Sequence, residues 1–190
     1  PDFNNPLLAI LLSLMRLPVV VLCDVQAFYH MISLRPEDRD AFRFYRWVKG
    51  NVGELEALRM TRVVFGAGPS SSAATYCFRA NADRHASEYS KEVVETVKEG
   101  FYVDDGGNDS PKDEDAIKLA KGLISLCEKG GFKLTKFMSN SRAVLDSIQA
   151  DLLHPAVISC GDTLPTISVL GLDYDTESDK FCVKVPSQKV

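Results

Sequence analysis

Apolar and polar positions alternate along this chain in a way that predicts a mixed sheet-and-helix protein. Asn4-Asn5-Pro6 caps and opens a helix running to about Met15, with proline at the first helical position, where no N–H is needed. Residues 17–24 (LPVVVLCD) form a short, β-branched, apolar run that ends in an acid, the pattern of a buried central strand. After a charged turn at 35–40, residues 41–48 alternate, placing Phe42, Phe44 and Arg46 on one side and Arg43, Tyr45 and Trp47 on the other. Residues 49–53 read as a hairpin tip and 58–64 as the returning strand. A Gly-Ala-Gly-Pro-Ser-Ser-Ser segment at 66–72 leads into a helix over roughly 72–90.

Two strands, 97–103 and 106–108, flank Asp104-Asp105, which predicts a hairpin with acids at its tip. Ser110, Pro111 and Asp113 resemble N-cap, N1 and N3 of a helix that continues to about Lys129 and stops at Gly130-Gly131. A strand at 132–137, a short helix at 139–148, a loop at 150–163, and a terminal hairpin of 166–174 with 181–185 complete the pattern. The expected class is α/β (α+β): a mainly antiparallel sheet with helices packed on one face. There is no internal repeat and no linker dividing two domains.

Composition narrows the function classes. The 190 residues are 45% hydrophobic and 25% charged, as in an ordinary globular protein with a substantial core. The net charge is −4, from 22 Lys+Arg against 26 Asp+Glu, which excludes a wholly basic nucleic-acid coat and leaves room for a local basic face. Five scattered cysteines, without a CxxC pair, argue against a disulfide framework or zinc ribbon and for a reducing compartment. Arg16 and Pro18 interrupt the longest apolar run, so neither a membrane span nor a signal peptide is expected. The chain begins at Pro1 in the middle of ordinary sequence and reads as a piece of something longer.

The candidate chemistry lies in the acids. An acid at the end of an apolar strand is costly unless it is paired or bound to a cation. Should Asp24 and the Asp104-Asp105 tip lie on neighbouring strands, three carboxylates converge. Such a cluster suits Mg²⁺, which takes carboxylate and phosphate oxygens. Taken alone, Asp-Asp is a common turn pair and Asp24 a common helix cap. Gly66 to Ser72 has the make-up of a phosphate-binding nest but not of a P-loop. His30, His85 and His154 are too dispersed for a metal site. The basic stretch from Arg35 to Arg62 reads chiefly as a mixed solvated surface, with a nucleic-acid face as the alternative. Tyr45 and Trp47 are candidates to stack on template bases or, equally, ordinary cross-strand aromatics.

The local sequences around these acids resemble reverse transcriptases. Tyr102-Val103-Asp104-Asp105 is the YVDD form of their catalytic box. Asp24-Val25-Gln26-Ala27-Phe28-Tyr29 resembles the first box, Val63-Val64-Phe65-Gly66-Ala67 the intervening one, and Leu170-Gly171-Leu172 the primer-grip hairpin, all in the family's order. Phe3-Asn4-Asn5-Pro6-Leu7-Leu8, Arg35 to Ala41, Arg59-Met60-Thr61-Arg62 and Gly130 to Ser141 look like segments of the BEL/Pao group of LTR retrotransposons. The resemblance covers nearly the whole chain. It implies a right-hand polymerase palm with partial fingers over residues 1–190, a fragment of a longer Pol polyprotein, with a primer-grip hairpin at 164–185. It further implies template-directed DNA synthesis from dNTPs on an RNA or DNA template-primer.

Carried over by the same resemblance, Asp24, Asp104 and Asp105 are the catalytic acids. Together with the Val25 carbonyl they would hold two Mg²⁺ ions, or Mn²⁺. Tyr29 would be the steric gate against a 2′-OH. Phe65 and Gly66 would lie near the incoming nucleotide, and Lys136 would be the lysine near its triphosphate. Lys136 stands at a spacing from Gly131 unlike that of retroviral enzymes, and by residue type alone it is a solvated strand lysine. Tyr102, Val103, Leu170 and Gly171 would contact primer and template. Protease, RNase H and integrase domains are the implied polyprotein partners. The implied setting is a cytoplasmic virus-like particle, with the nucleus as a second compartment and no membrane.

The sequence departs from the family at several positions. Val64 stands where a proline is usual, Ser71 where a second one is expected, and Pro69 comes two residues early. Gly106-Gly107 is expected to loosen the strand after the acids. These departures favour an alternative in which the chain is a catalytically decayed palm remnant that only binds nucleic acid or a subunit. The intact acids and Tyr29 favour a competent site. A metal-dependent phosphohydrolase or receiver-like domain is a third reading, disfavoured because the acidic pair comes late and on a hairpin.

Overall fold

Both faces of one strand are covered, and the rest of the domain is arranged around it. The strand β1 (Val19–Val25) is buried at alternate and intervening positions alike, with only Val19 and Asp24 partly open. The computed structural model describes residues 2–48, 52–161 and 163–183. In it, β1 is an inner strand of a four-stranded sheet in the order β4-β5-β1-β6, where β4 is Phe101–Tyr102, β5 is Asp105–Ser110 and β6 is Leu134–Ser139. Every pairing in this sheet is antiparallel. A receiver-like domain would need a parallel sheet, so this topology removes that reading.

Val21, Cys23 and Val25 point to one side, against the helices α2 (Ser70–Arg84), α3 (Lys91–Glu99) and α4 (Asp113–Lys129). Phe78, Phe101 and Phe132 meet there edge-on, with ring centroids 5.1 Å apart in each pair that includes Phe78. Val20 and Leu22 point to the other side. They pack with Ile10 of α1 (Leu7–Ser13), Leu145 of α5 (Arg142–Asp146) and Val157 of α6 (Pro155–Ser159). Ile167 and Tyr174 join them from a small sheet of β7 (Thr166–Val169), β8 (Leu172–Asp175) and β9 (Lys180–Cys182). The large helices share one face, as the sequence predicts, but the opposite face is also covered. A strand apolar at both parities leaves no face that water can occupy cheaply. A separate antiparallel pair, β2 (Arg43–Trp47) with β3 (Leu55–Arg59), has every β2 residue exposed.

Several elements fall elsewhere than the pattern predicts. Of the expected strand at 97–103, only Phe101–Tyr102 form a strand, β4, and residues 97–99 are the end of α3, whose cap is Ser90 Oγ accepting from the Val93 N–H. Val93, Thr96 and Val97 are its buried face, and their β-branching hides the helical spacing. The helix expected over 72–90 ends at Arg84. Ser110 does not cap α4; it closes β5 opposite Val19, and Lys112 takes the cap position. Asp113, Glu114 and Asp115 then fill the first turn, where the helix dipole favours acids.

The far end of α4 stops as expected. Gly131 (φ +77°) donates to the Glu128 carbonyl at 2.9 Å, and Phe132 donates to that of Cys127 at 3.0 Å, a Schellman closure. The return strand of the first hairpin lies at Leu55–Arg59 rather than 58–64, and the helix expected at 139–148 is only Arg142–Asp146. The expected loop at 150–163 contains a 3₁₀ turn, Ala150–Leu152, and α6. The terminal hairpin has three strands. Residues 184–185 of that expectation, and 49–51 of the earlier tip, lie outside the described residues.

Gly106 and Gly107 do not loosen β5. A Cβ at Gly107 would overlap the Val21 carbonyl, and one at Gly106 the Gly100 carbonyl and the Phe101 backbone. Both glycines allow β5 to press between β4 and β1. Gly107→Ala is therefore expected to cost at least about 2 kcal/mol in urea unfolding. A variant as stable as the parent protein would show that this close approach does not exist.

Candidate functional site

Strand register builds the site. Asp24 lies directly opposite Asp105 in the β1–β5 ladder, so both side chains leave the sheet on one face. Tyr102 pairs with Asp105, which leaves Val103 and Asp104 as the two central residues of the β4–β5 turn. The Val25 N–H donates to the Asp104 carbonyl at 2.8 Å and ties that turn to the end of β1. Val103 adopts φ +61°, the left-handed region that a β-branched residue enters only under constraint. The fold thus brings Asp24 and Val25 together with Asp104 and Asp105, from segments far apart in sequence.

Like charges on neighbouring inner strands repel, and the acids show it. Burial pushes the pKa of the Asp105 carboxyl up to about 6, with the charges of Asp104 and Asp24 adding to the shift. Asp104 is also raised, first by burial and then by Asp24, against a lowering hydrogen bond from its own backbone. Lys136 opposes both shifts. Cys23, beneath the cluster, has its thiol pushed far up by burial and then by Cys127 and these acids, so it is an inert core group.

Lys136 reaches Asp24 through a defect in the sheet. Met138 pairs with Leu22 and Thr135 with Asp24, so Lys136 and Phe137 together oppose Cys23. This is a β-bulge whose first residue, Lys136, lies at φ +53°, a position usually given to glycine. The bulge aims the Lys136 ammonium at Asp24 Oδ2, 3.1 Å away, while Thr135 Oγ1 donates to Oδ1 at 3.4 Å. The Asp24 side chain is 16% exposed and that of Lys136 54%. The spacing of Lys136 in sequence gives no sign of this contact, because a bulge cannot be read from alternation. Thr135 carries no signal at all.

The donor chemistry fits a hard divalent cation: carboxylates with pKa raised above the ordinary range by burial and by one another's charge, with an ammonium paired to Asp24. The arrangement as folded is less ready. Among the described residues, no group of three or more His, Cys, Asp or Glu side chains is disposed to hold a metal ion.

The other predicted residues form separate groups. Ala27 (φ +52°) turns the chain after β1, burying Phe28 and leaving Tyr29 half-buried against Phe65, ring centroids 4.6 Å apart and edge-on. Phe65 is 66% exposed, and Gly66 takes φ +81°. Tyr102 is exposed beside the acidic turn. Leu170 and Gly171, at φ +51° and +83°, make the two-residue turn between β7 and β8 in the small sheet. Leu170 packs there on the second core cluster.

The basic stretch is largely neutralised locally. Asp40 holds Arg43 and Arg59 at 2.8 Å each, Glu56 holds Arg46 at 2.6 Å, and Asp38 holds Arg35 at 3.1 Å. Pro69 sits comfortably before α2 at φ −83°, its carbonyl accepting from the Ala73 N–H at 2.9 Å. The early proline thus starts the helix rather than disturbing it.

Asp105 also makes stability depend on pH. Its carboxyl is raised in the folded state, so its favourable contribution is complete below the ordinary carboxylate range and is lost as pH rises through about 6. Asp105→Asn is expected to stabilise the fold by about 1–2 kcal/mol at pH 8, after discounting for solvent screening, and to have little effect at pH 4. Denaturant unfolding at the two pH values reads this directly. Equal effects at both would show that the Asp105 carboxyl is not raised in the folded state.

No helix among the described residues is long and apolar enough to cross a membrane. No protein-family model matches the chain, and no curated protein matches it.

Proposed function

We propose that this domain is the palm, with part of the fingers, of a BEL/Pao-type reverse transcriptase, extending a primer from dNTPs on an RNA or DNA template. One observation carries the reading. Asp24, from the first motif, stands opposite Asp105 of the YVDD motif across two inner antiparallel strands, with Asp104 in the β4–β5 turn. Four sequence motifs in family order, on a mixed fold with an antiparallel sheet, support the same conclusion.

The chain's own groups have definable work in this reading. Asp24 and Asp104, with the Val25 main chain between them, present oxygen donors at one end of β1. Divalent ions bound there would supply charge neutralisation and activation of the attacking hydroxyl in an in-line phosphoryl transfer. The strained Val103 turn holds Asp104 against β1, and Tyr102 beside it faces the solvent where a primer terminus would lie. Tyr29, braced by Phe65, offers a ring edge beneath an incoming sugar. Template-primer and dNTP are the partners, and the remaining polyprotein domains belong to the same proposal.

The decayed-remnant reading loses two of its supports, since Gly106-Gly107 and Pro69 each have an orderly structural role. Primer extension by a polypeptide containing this domain, on an oligo(dT)-primed poly(rA) template, tests the proposal. Asp104→Asn and Asp24→Asn are each expected to lower extension by more than about a hundredfold. Tyr29→Ala is expected to admit ribonucleotides while still extending with dNTPs. Undiminished extension by both acid variants would take these residues out of the chemistry.

A further inference from the structure

The Lys136–Asp24 contact goes beyond the charge pairing that a solvated strand lysine would make. A lysine at the first position of this bulge accepts a backbone conformation that glycine enters freely. The same bulge turns its ammonium onto Asp24, the least exposed carboxylate in any lysine ion pair among the described residues. The ammonium lies 3.1 Å from one carboxylate oxygen of Asp24. The other oxygen of Asp24 accepts only the long hydrogen bond from Thr135 among the described side chains. An ion pair on one oxygen leaves Asp24 less free to bind a second cation than an unpaired carboxylate would be.

We propose that Lys136 is a built-in counter-cation of Asp24, which a divalent ion must displace before Asp24 can serve as its ligand. This rests on reading Asp24 as a metal ligand. With the acids alone, three carboxylates would repel one another at one end of β1. With Lys136 on Asp24, part of that repulsion is relieved, and metal affinity is lowered by the strength of the ion pair. The lysine therefore holds the metal-free site together and competes with its occupant. Its direct contact is with Asp24, which makes its contribution separable by substitution.

Mn²⁺ binding, followed by electron paramagnetic resonance and by titration calorimetry without nucleotide or primer, tests this. Lys136→Asn removes the cation with a residue that tolerates left-handed backbone, so the bulge is retained. It is expected to tighten Mn²⁺ binding roughly two- to fivefold, the range of a partly exposed ion pair. Lys136→Arg should bind as the parent protein does. Lys133→Asn, which removes an equal charge from the approach to the same strand, should leave affinity unchanged, and adding Asp24→Asn to Lys136→Asn should abolish the gain. Equal Mn²⁺ affinity in the parent protein and Lys136→Asn overturns the proposal and leaves the metal site standing. A gain of the same size in Lys133→Asn also overturns it, because the effect would then be general charge. No Mn²⁺ binding by any of these proteins up to millimolar concentrations would overturn the metal-site reading itself, and this inference with it.

Discussion

The antiparallel register between β1 and β5 is the constraint on which this structure depends. It places Asp24 against Asp105, and it does so because Val20, Leu22, Val21 and Cys23 must enter two different cores. A slip of one residue would exchange those faces and carry Asp24 from the open end of one face to the helical side. The position of the acids is thus set by hydrophobic burial along the whole strand. Gly107 tightens the same register, because the Val21 carbonyl occupies the space a side chain there would need.

Costs accumulate at one end of this strand. Asp104 and Asp105 are raised by burial and then by neighbouring carboxylates, Val103 sits at φ +61°, and Lys136 occupies a bulge position at φ +53°. The surrounding cores are dense enough to hold them there, with Phe28, Phe78 and Phe132 in mutual ring contact behind β1. Left-handed non-glycine backbone also occurs at Ala27, Leu170 and Asp179, but only at Val103 and Lys136 does it stand beside the raised or ion-paired acids.

Much of this is legible in the order of the residues alone. Residues 17–24 announce a central strand ending in an acid, and Asp104-Asp105 announces a tight turn, since both signals are local: β-branching, apolar runs and turn chemistry. The α4 stop at Gly130-Gly131 is equally plain. What escapes is non-local. The residues of α3 carry β-branched side chains on a helical face, so propensity points to a strand. Ser110 matches a helix cap in type, yet pairing with Val19 claims it for β5. The bulge at Lys136 depends on how β6 meets β1, and nothing in residues 132–137 alone reveals an extra residue in the ladder.

The acidic site and the exposed β2–β3 pair illustrate opposite uses of charge. In the pair, Arg43 and Arg59 stand directly opposite each other, and Asp40 bridges both. That local neutralisation leaves Tyr45, 73% exposed, and Trp47 as open features of the surface. Arginines already paired with carboxylates add little long-range attraction for a phosphate backbone, whereas aromatic faces retain their stacking capacity whatever the salt. At the acidic site the balance runs the other way. Three carboxylates face one ammonium, and the net negative charge left over is concentrated where the strands end. That concentration of negative charge follows from the register of β1 and β5, whereas any hold on nucleic acid by β2–β3 must come from ring contact more than from charge.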